Sequence, residues 1–110
     1  NPRITAIREF NEETGINLNI EDLKEQLTTT GGTTGHPSFQ FITRPLKHEE
    51  AVPIDKERFI GFAWSKIMRK AEGEWYITDD EGTKIKVRKF NTFCFEQNAQ
   101  ALEPFTAPYQ

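Results

Sequence analysis

The sequence predicts an α+β chain forming one small domain. Three observations carry that prediction: an amphipathic helical stretch over residues 1–16, β-patterned stretches at 39–43 and 84–90 bordered by turn formers, and a length of 110 residues that suits a single domain.

Along the first stretch, Ile4, Ile7 and Phe10 fall on one side of a helix. Glu9, Glu12 and Glu13 fall on the other, within an arc of roughly 100° at about 100° per residue. Gly15 stops the helix, where a residue can turn left-handed at low cost. Gly15 to Asn19 is a short extended link, and Asn19 is placed to cap a second helix from Ile20 to about Leu27, with Ile20, Leu23 and Leu27 inward. Residues 28–36 hold a run of Thr and Gly with no apolar side chain and predict a flexible loop. No Gly-Lys-Ser/Thr ending follows, so a phosphate-cradling loop is the weaker reading.

Phe39-Gln40-Phe41-Ile42-Thr43 predicts a strand ended by Pro45. Lys47 to Asp55 is a charged loop, and Glu57 to Trp64 reads as the next strand or strand-turn. Residues 74–90 predict a β-hairpin: Glu74 to Thr78, an acidic turn at Asp79 to Gly82, then Lys84 to Phe90, where Lys84, Lys86 and Arg88 alternate with Ile85 and Val87. The tip lacks calcium-loop spacing, and turn chemistry accounts for it. Thr92 to Phe95 predicts a further strand, and residues 97–110 a tail on the surface.

Composition narrows the function classes. A net charge of −3 and a pI near 5.4 argue against a general nucleic-acid-binding surface. An acidic protein acting on phosphates needs metal between like charges. Cys94, flanked by Phe93 and Phe95, reads as a small buried apolar residue, and a single cysteine forms no intrachain disulfide. No apolar run reaches membrane-spanning length and no signal-like segment leads the sequence, so a cytoplasmic location is the expectation. His36 and His48 lack spaced partners and read as structural. Trp64, Trp75 and Tyr76 are candidates for stacking on a nucleobase, against the commoner role of such rings in a core or interface.

The stretch Arg8-Glu9-Phe10-Asn11-Glu12-Glu13-Thr14-Gly15-Ile16 carries the chemistry. Arg8 can bridge Glu12 four residues on, yet one cation does not neutralise three carboxylates, and like charges at helical spacing destabilise an empty helix. Clustered carboxylates suit hard divalent cations such as Mg2+, Mn2+ or Ca2+, whereas zinc or iron calls for His and Cys. The alternative for any such glutamates is a solvated helix face.

The pattern Arg-Glu-(apolar)-x-Glu-Glu-x-Gly-(apolar) closely resembles the core of the Nudix box. The resemblance implies an α/β/α sandwich with a mixed sheet between helices. It also implies metal-dependent hydrolysis of a diphosphate linkage in a nucleoside diphosphate derivative, with Mg2+, or Mn2+, as cofactor. Carried over residue by residue, Glu12 and Glu13 would bind metal, Glu9 would bind metal or orient the attacking water, and Arg8 would hold the glutamates through an ion pair. A further acid from the region after the strand at 39–43 often completes such sites, and Glu49, Glu50, Asp55 and Glu57 are the candidates. The family's first box glutamate would sit one residue before Asn1, with its glycine and the leading strands earlier still. The chain is therefore expected to be the C-terminal part of a Nudix domain, in contact with another chain or with a missing N-terminal segment. Two alternatives stand beside the hydrolase. One is an inactive Nudix-fold subunit that binds a nucleotide or a protein. The other is an RNA-processing subunit of the decapping type, with the basic strand from Lys84 to Lys89 tracking RNA.

Overall fold

The computed structural model describes residues 1–33, 35–52, 57 and 64–110. The chain is α+β, as its patterning predicts: helices accompany a two-stranded sheet and a mixed four-stranded sheet. It divides into two units, Asn1–Gln26 with Phe39–Phe62, and Leu27–Ser38 with Ala63–Gln110. Among the described residues no helix is long and apolar enough to cross a membrane.

The first unit is organised by helix α1, Pro2–Thr14. Asn1 Oδ1 accepts from Arg3 N at 2.9 Å, and Pro2 occupies the first turn, where its missing N–H costs nothing. Gly15 closes the helix with φ 77°, donating its N–H to Asn11 O at 2.8 Å. Ile7 and Phe10 pack against the buried Ile16, Leu18 and Leu23, together with Phe41, Leu46 and Ala51. Ile4 was expected on that stripe but is exposed. Its position lies roughly 85° around the helix from the centre set by Ile7, Phe10 and Thr14. Thr14, buried at the inner end, accepts the Ile16 N–H at 3.2 Å on its Oγ1, and its carbonyl takes the Val52 N–H at 2.7 Å.

The second predicted helix is replaced by a single 3-10 turn, Ile20–Asp22, and by strand β1, Leu23–Thr29. Asn19 does sit at the start of that turn, its N–H bound by Asp22 Oδ2 at 2.8 Å. Leu23 and Leu27 are four apart, a spacing that falls on one helix face and equally on one face of a strand. Thr29, two residues after Leu27, is buried with them, as strand spacing and not helical spacing places it; Glu25 is exposed although it shares their parity. The expected loop accordingly begins at Thr30 rather than at 28. Strand β2, Ser38–Thr43, pairs with β1. Of the predicted strand Glu57 to Trp64, only the two end residues are among those described.

The second unit holds a sheet in the order β5-β4-β3-β6, from β3 (Ile67–Ala71), β4 (Glu74–Thr78), β5 (Lys84–Lys86) and β6 (Thr106–Pro108). The hairpin expected at 74–90 is present, antiparallel with Ile77 opposite Ile85. Its tip is built on Asp79, whose Oδ1 accepts from Glu81 N at 2.9 Å and Thr83 N at 2.8 Å. The second arm ends at Lys86, and Ile85 is exposed rather than half-buried, as is Ile77 opposite it, so this face of the hairpin is uncovered. β3 was not read from the sequence; it pairs antiparallel with β4.

The strand expected at Thr92 to Phe95 is instead helix α2, Lys89–Gln97. Its N–H groups are engaged from Thr92, whose amide reaches Arg88 O at 2.8 Å. Cys94 is buried there as the sequence suggests. The expected surface tail is also corrected: α3, Ala99–Leu102, buries Leu102 and leads to β6, which lies parallel to β3 with Ile67 opposite Thr106. Trp75 is 1% exposed, and its ring meets Phe95 edge-on at a centroid distance of 5.4 Å.

Candidate functional site

Helix α1 presents Arg8, Glu12, Glu9 and Glu13 in that order around its outer face, at about 100° per residue. Arg8 Nη1 donates to Glu12 Oε1 at 2.9 Å, and Nη2 stands 3.8 Å from Glu9 Oε1. These three side chains are each about 59% exposed, and Glu13 is half-buried. The pairing expected of Arg8 and Glu12 is therefore formed.

Glu9 also borders a cleft of about 370 Å³ whose other walls include Thr5, Ala6 and Phe39. Phe39 is the second residue of β2 and keeps a partly exposed ring. The cleft thus sets an aromatic wall against a carboxylate. Phe39 was read only as a strand residue, since alternation along β2 does not reveal which ring faces a cleft.

As donors, the three carboxylates have the hard-oxygen chemistry that suits Mg2+ or Mn2+. Among the described residues, however, no three His, Cys, Asp or Glu side chains are gathered as a metal would need. Arg8 accounts for part of this, drawing Glu12 to the edge of the face away from Glu13.

The candidates for a further acid separate. Glu50 is committed to structure: its Oε2 accepts from Lys47 N at 2.7 Å and its Oε1 lies 3.4 Å from Arg44 Nη2. The backbone bond from Lys47, and then Arg44, hold its carboxyl below the ordinary range. Arg44 also stands 3.4 Å from Asp22, and so ties the turn before β1 to the segment after β2. Glu49 and Glu57 are exposed. Asp55 lies outside the described residues.

The stacking candidates separate as well. Trp75 is closed to a base, because its ring is buried and Nε1 donates to Glu96 Oε1 at 2.6 Å. Tyr76 packs on Tyr109 at 4.8 Å between centroids. Trp64 is 48% exposed and borders a second cleft.

Glu96 is not marked by any local pattern in the sequence. Its Oε1 accepts from Trp75 Nε1 and, at 2.7 Å, from Gly73 N, while Oε2 pairs with Arg69 Nη2 at 2.9 Å. Burial pushes this carboxyl up, but the bonds from Gly73, Trp75 and Arg69 outweigh it and hold the pKa below 4.5. Its partners lie more than twenty residues back, beyond any local pattern.

Compared with protein-family models, with curated proteins and with solved structures, the chain matches none.

Proposed function

We propose that this chain carries a Nudix-type acidic helix and acts in the divalent-metal-dependent hydrolysis of a diphosphate linkage in a nucleotide derivative. The observation that supports this most is the juxtaposition on α1: a box-like Arg8-Glu9-x-x-Glu12-Glu13 face, with Arg8 paired to Glu12, beside a cleft that sets Phe39 against Glu9. The left-handed Gly15 cap supports it too, since it ends the helix where the box pattern ends.

In this reading Glu12 and Glu13 would hold Mg2+ or Mn2+. Such a cation, when bound, screens the diphosphate charge and lowers the pKa of water. Glu9, at the cleft edge, accepts a proton from the attacking water or orients it. Arg8 keeps Glu12 aligned through its ion pair. Phe39 offers a flat apolar wall to a base, as aromatic rings do elsewhere. The layered Nudix arrangement belongs to this proposal.

A second reading, a Nudix-like subunit that binds a nucleotide without turnover, is favoured by one observation, the ungathered carboxylates. Incubation of the chain with Mg2+ and a panel of nucleoside triphosphates, nucleotide sugars, ADP-ribose and capped RNA separates the two. The hydrolase reading expects phosphate or nucleotide release that falls about 100-fold or more in Glu12→Gln. Release indifferent to that substitution refutes the assignment. Calorimetric binding without release selects the second reading.

A further inference from the structure

The second unit contains a cleft of about 460 Å³ that owes nothing to α1. Its volume falls in the usual range of small-molecule sites, roughly 300–1,000 Å³. Met68, buried in β3, contributes apolar lining; Trp64 supplies an exposed indole; Lys66 and Lys84 supply ammonium groups; Pro108 comes from β6.

The arrangement is built rather than incidental. Ser65, between Trp64 and Lys66, accepts the Thr78 N–H on its Oγ at 2.6 Å and lies 3.1 Å from Thr78 Oγ1. That fixes the segment to the end of β4, where Thr78 stands opposite Lys84 in the β4–β5 register. Lys84 Nζ lies 4.9 Å and Lys70 Nζ 5.1 Å from the centroid of Tyr109, which itself packs on Tyr76. Among the described residues, Lys66 and Lys84 form no ion pair with a carboxylate. Positive charge is therefore concentrated locally on a protein of net charge −3.

We propose that this cleft binds a nucleotide, with the base against the Trp64 indole and the phosphate between Lys66 and Lys84, either as a free nucleotide or as one unit of a single strand. A partly exposed ring and two lysines lining one cleft supply the elements that stacking plus phosphate neutralisation requires, and an acidic peptide would make no use of the ring.

The test titrates the chain with adenosine 5′-monophosphate, with a short single-stranded oligoadenylate and with oligoglutamate, reading tryptophan fluorescence. Trp75 is buried, so quenching by stacking reports Trp64. Saturable quenching by mononucleotide or by oligoadenylate is expected. A much tighter response to oligoadenylate identifies a strand, and equal responses per site a free nucleotide. Lys66→Ala with Lys84→Ala, which keeps the reporter, should weaken binding roughly tenfold or more; Trp64→Leu should abolish the quench; Glu12→Gln should leave it unchanged. No quenching by either nucleotide form at millimolar concentration overturns the proposal. So does quenching by oligoglutamate alone, persistence in the lysine double variant, or loss in Glu12→Gln.

Discussion

Replacing Glu96 by alanine should be the most damaging single change to the second unit that removes no large apolar side chain. It strips one acceptor group from three donors at once: Gly73 N, Trp75 Nε1 and Arg69 Nη2. Trp75 is 1% exposed, so its indole N–H has no water to turn to, and an unsatisfied buried donor costs about 1–3 kcal/mol. The Arg69 pair has 36% and 24% side-chain exposure, so water recovers much of that bond and its share is set near ~1 kcal/mol. The sum is about 3 kcal/mol, a large part of the ~5–15 kcal/mol that holds such a domain. Thermal unfolding followed by tryptophan fluorescence should show a fall of roughly 10 °C. Glu96→Gln retains an acceptor for Trp75 but sets an amide against Arg69, and should fall between wild type and Glu96→Ala. A Glu96→Ala cost below ~0.5 kcal/mol would mean that these three donors do not depend on the Glu96 carboxylate. The pH dependence follows in sign. The folded pKa of Glu96 is depressed, so its contribution is full above the ordinary value of 4.5 and is lost as pH falls through the lower folded value. Glu96→Ala should therefore flatten the acid side of the stability profile.

Three further outcomes are expected. Gly15→Ala forces a residue with a Cβ into φ 77° and should cost about 1–2 kcal/mol, measured by urea unfolding. Leu27→Ala should cost about 2–4 kcal/mol while Glu25→Ala stays within ~0.5 kcal/mol, because Leu27 is buried and Glu25 exposed; equal costs in denaturant melts would count against that difference in burial. Glu50→Gln should also reduce the loss of stability on acidification, because the carboxyl held down by Lys47 N and Arg44 contributes above pH 4.5 and is lost below its lowered folded value.

Local signals made α1, its Gly15 stop, β2 and the β4–β5 hairpin legible. Each rests on neighbours within a few residues: a helical stripe, a glycine cap, an Asp79 turn. β1 was misread because Leu23 and Leu27 satisfy both periods, and only the burial of Thr29 decides between them. Phe93-Cys94-Phe95 has the apolar density of a strand, yet it sits in α2, where Glu96 is drawn toward Gly73, Trp75 and Arg69. β6 exists only by parallel pairing with β3, some forty residues earlier, and a three-residue strand leaves no pattern of its own. At the candidate site, the Arg8–Glu12 pair was readable from helical spacing. The cleft between Glu9 and Phe39 was not, because it joins residues thirty apart in sequence.

The function proposed for this chain requires the outer face of α1 to take a hard divalent cation. Titrating the chain with Mn2+ under electron paramagnetic resonance, beside a Glu9→Gln, Glu12→Gln, Glu13→Gln variant, tests it most directly. Saturable loss of the free-ion signal is expected in the wild type, and its restoration in the variant. Equal uptake by both proteins, or none by the wild type, would contradict it.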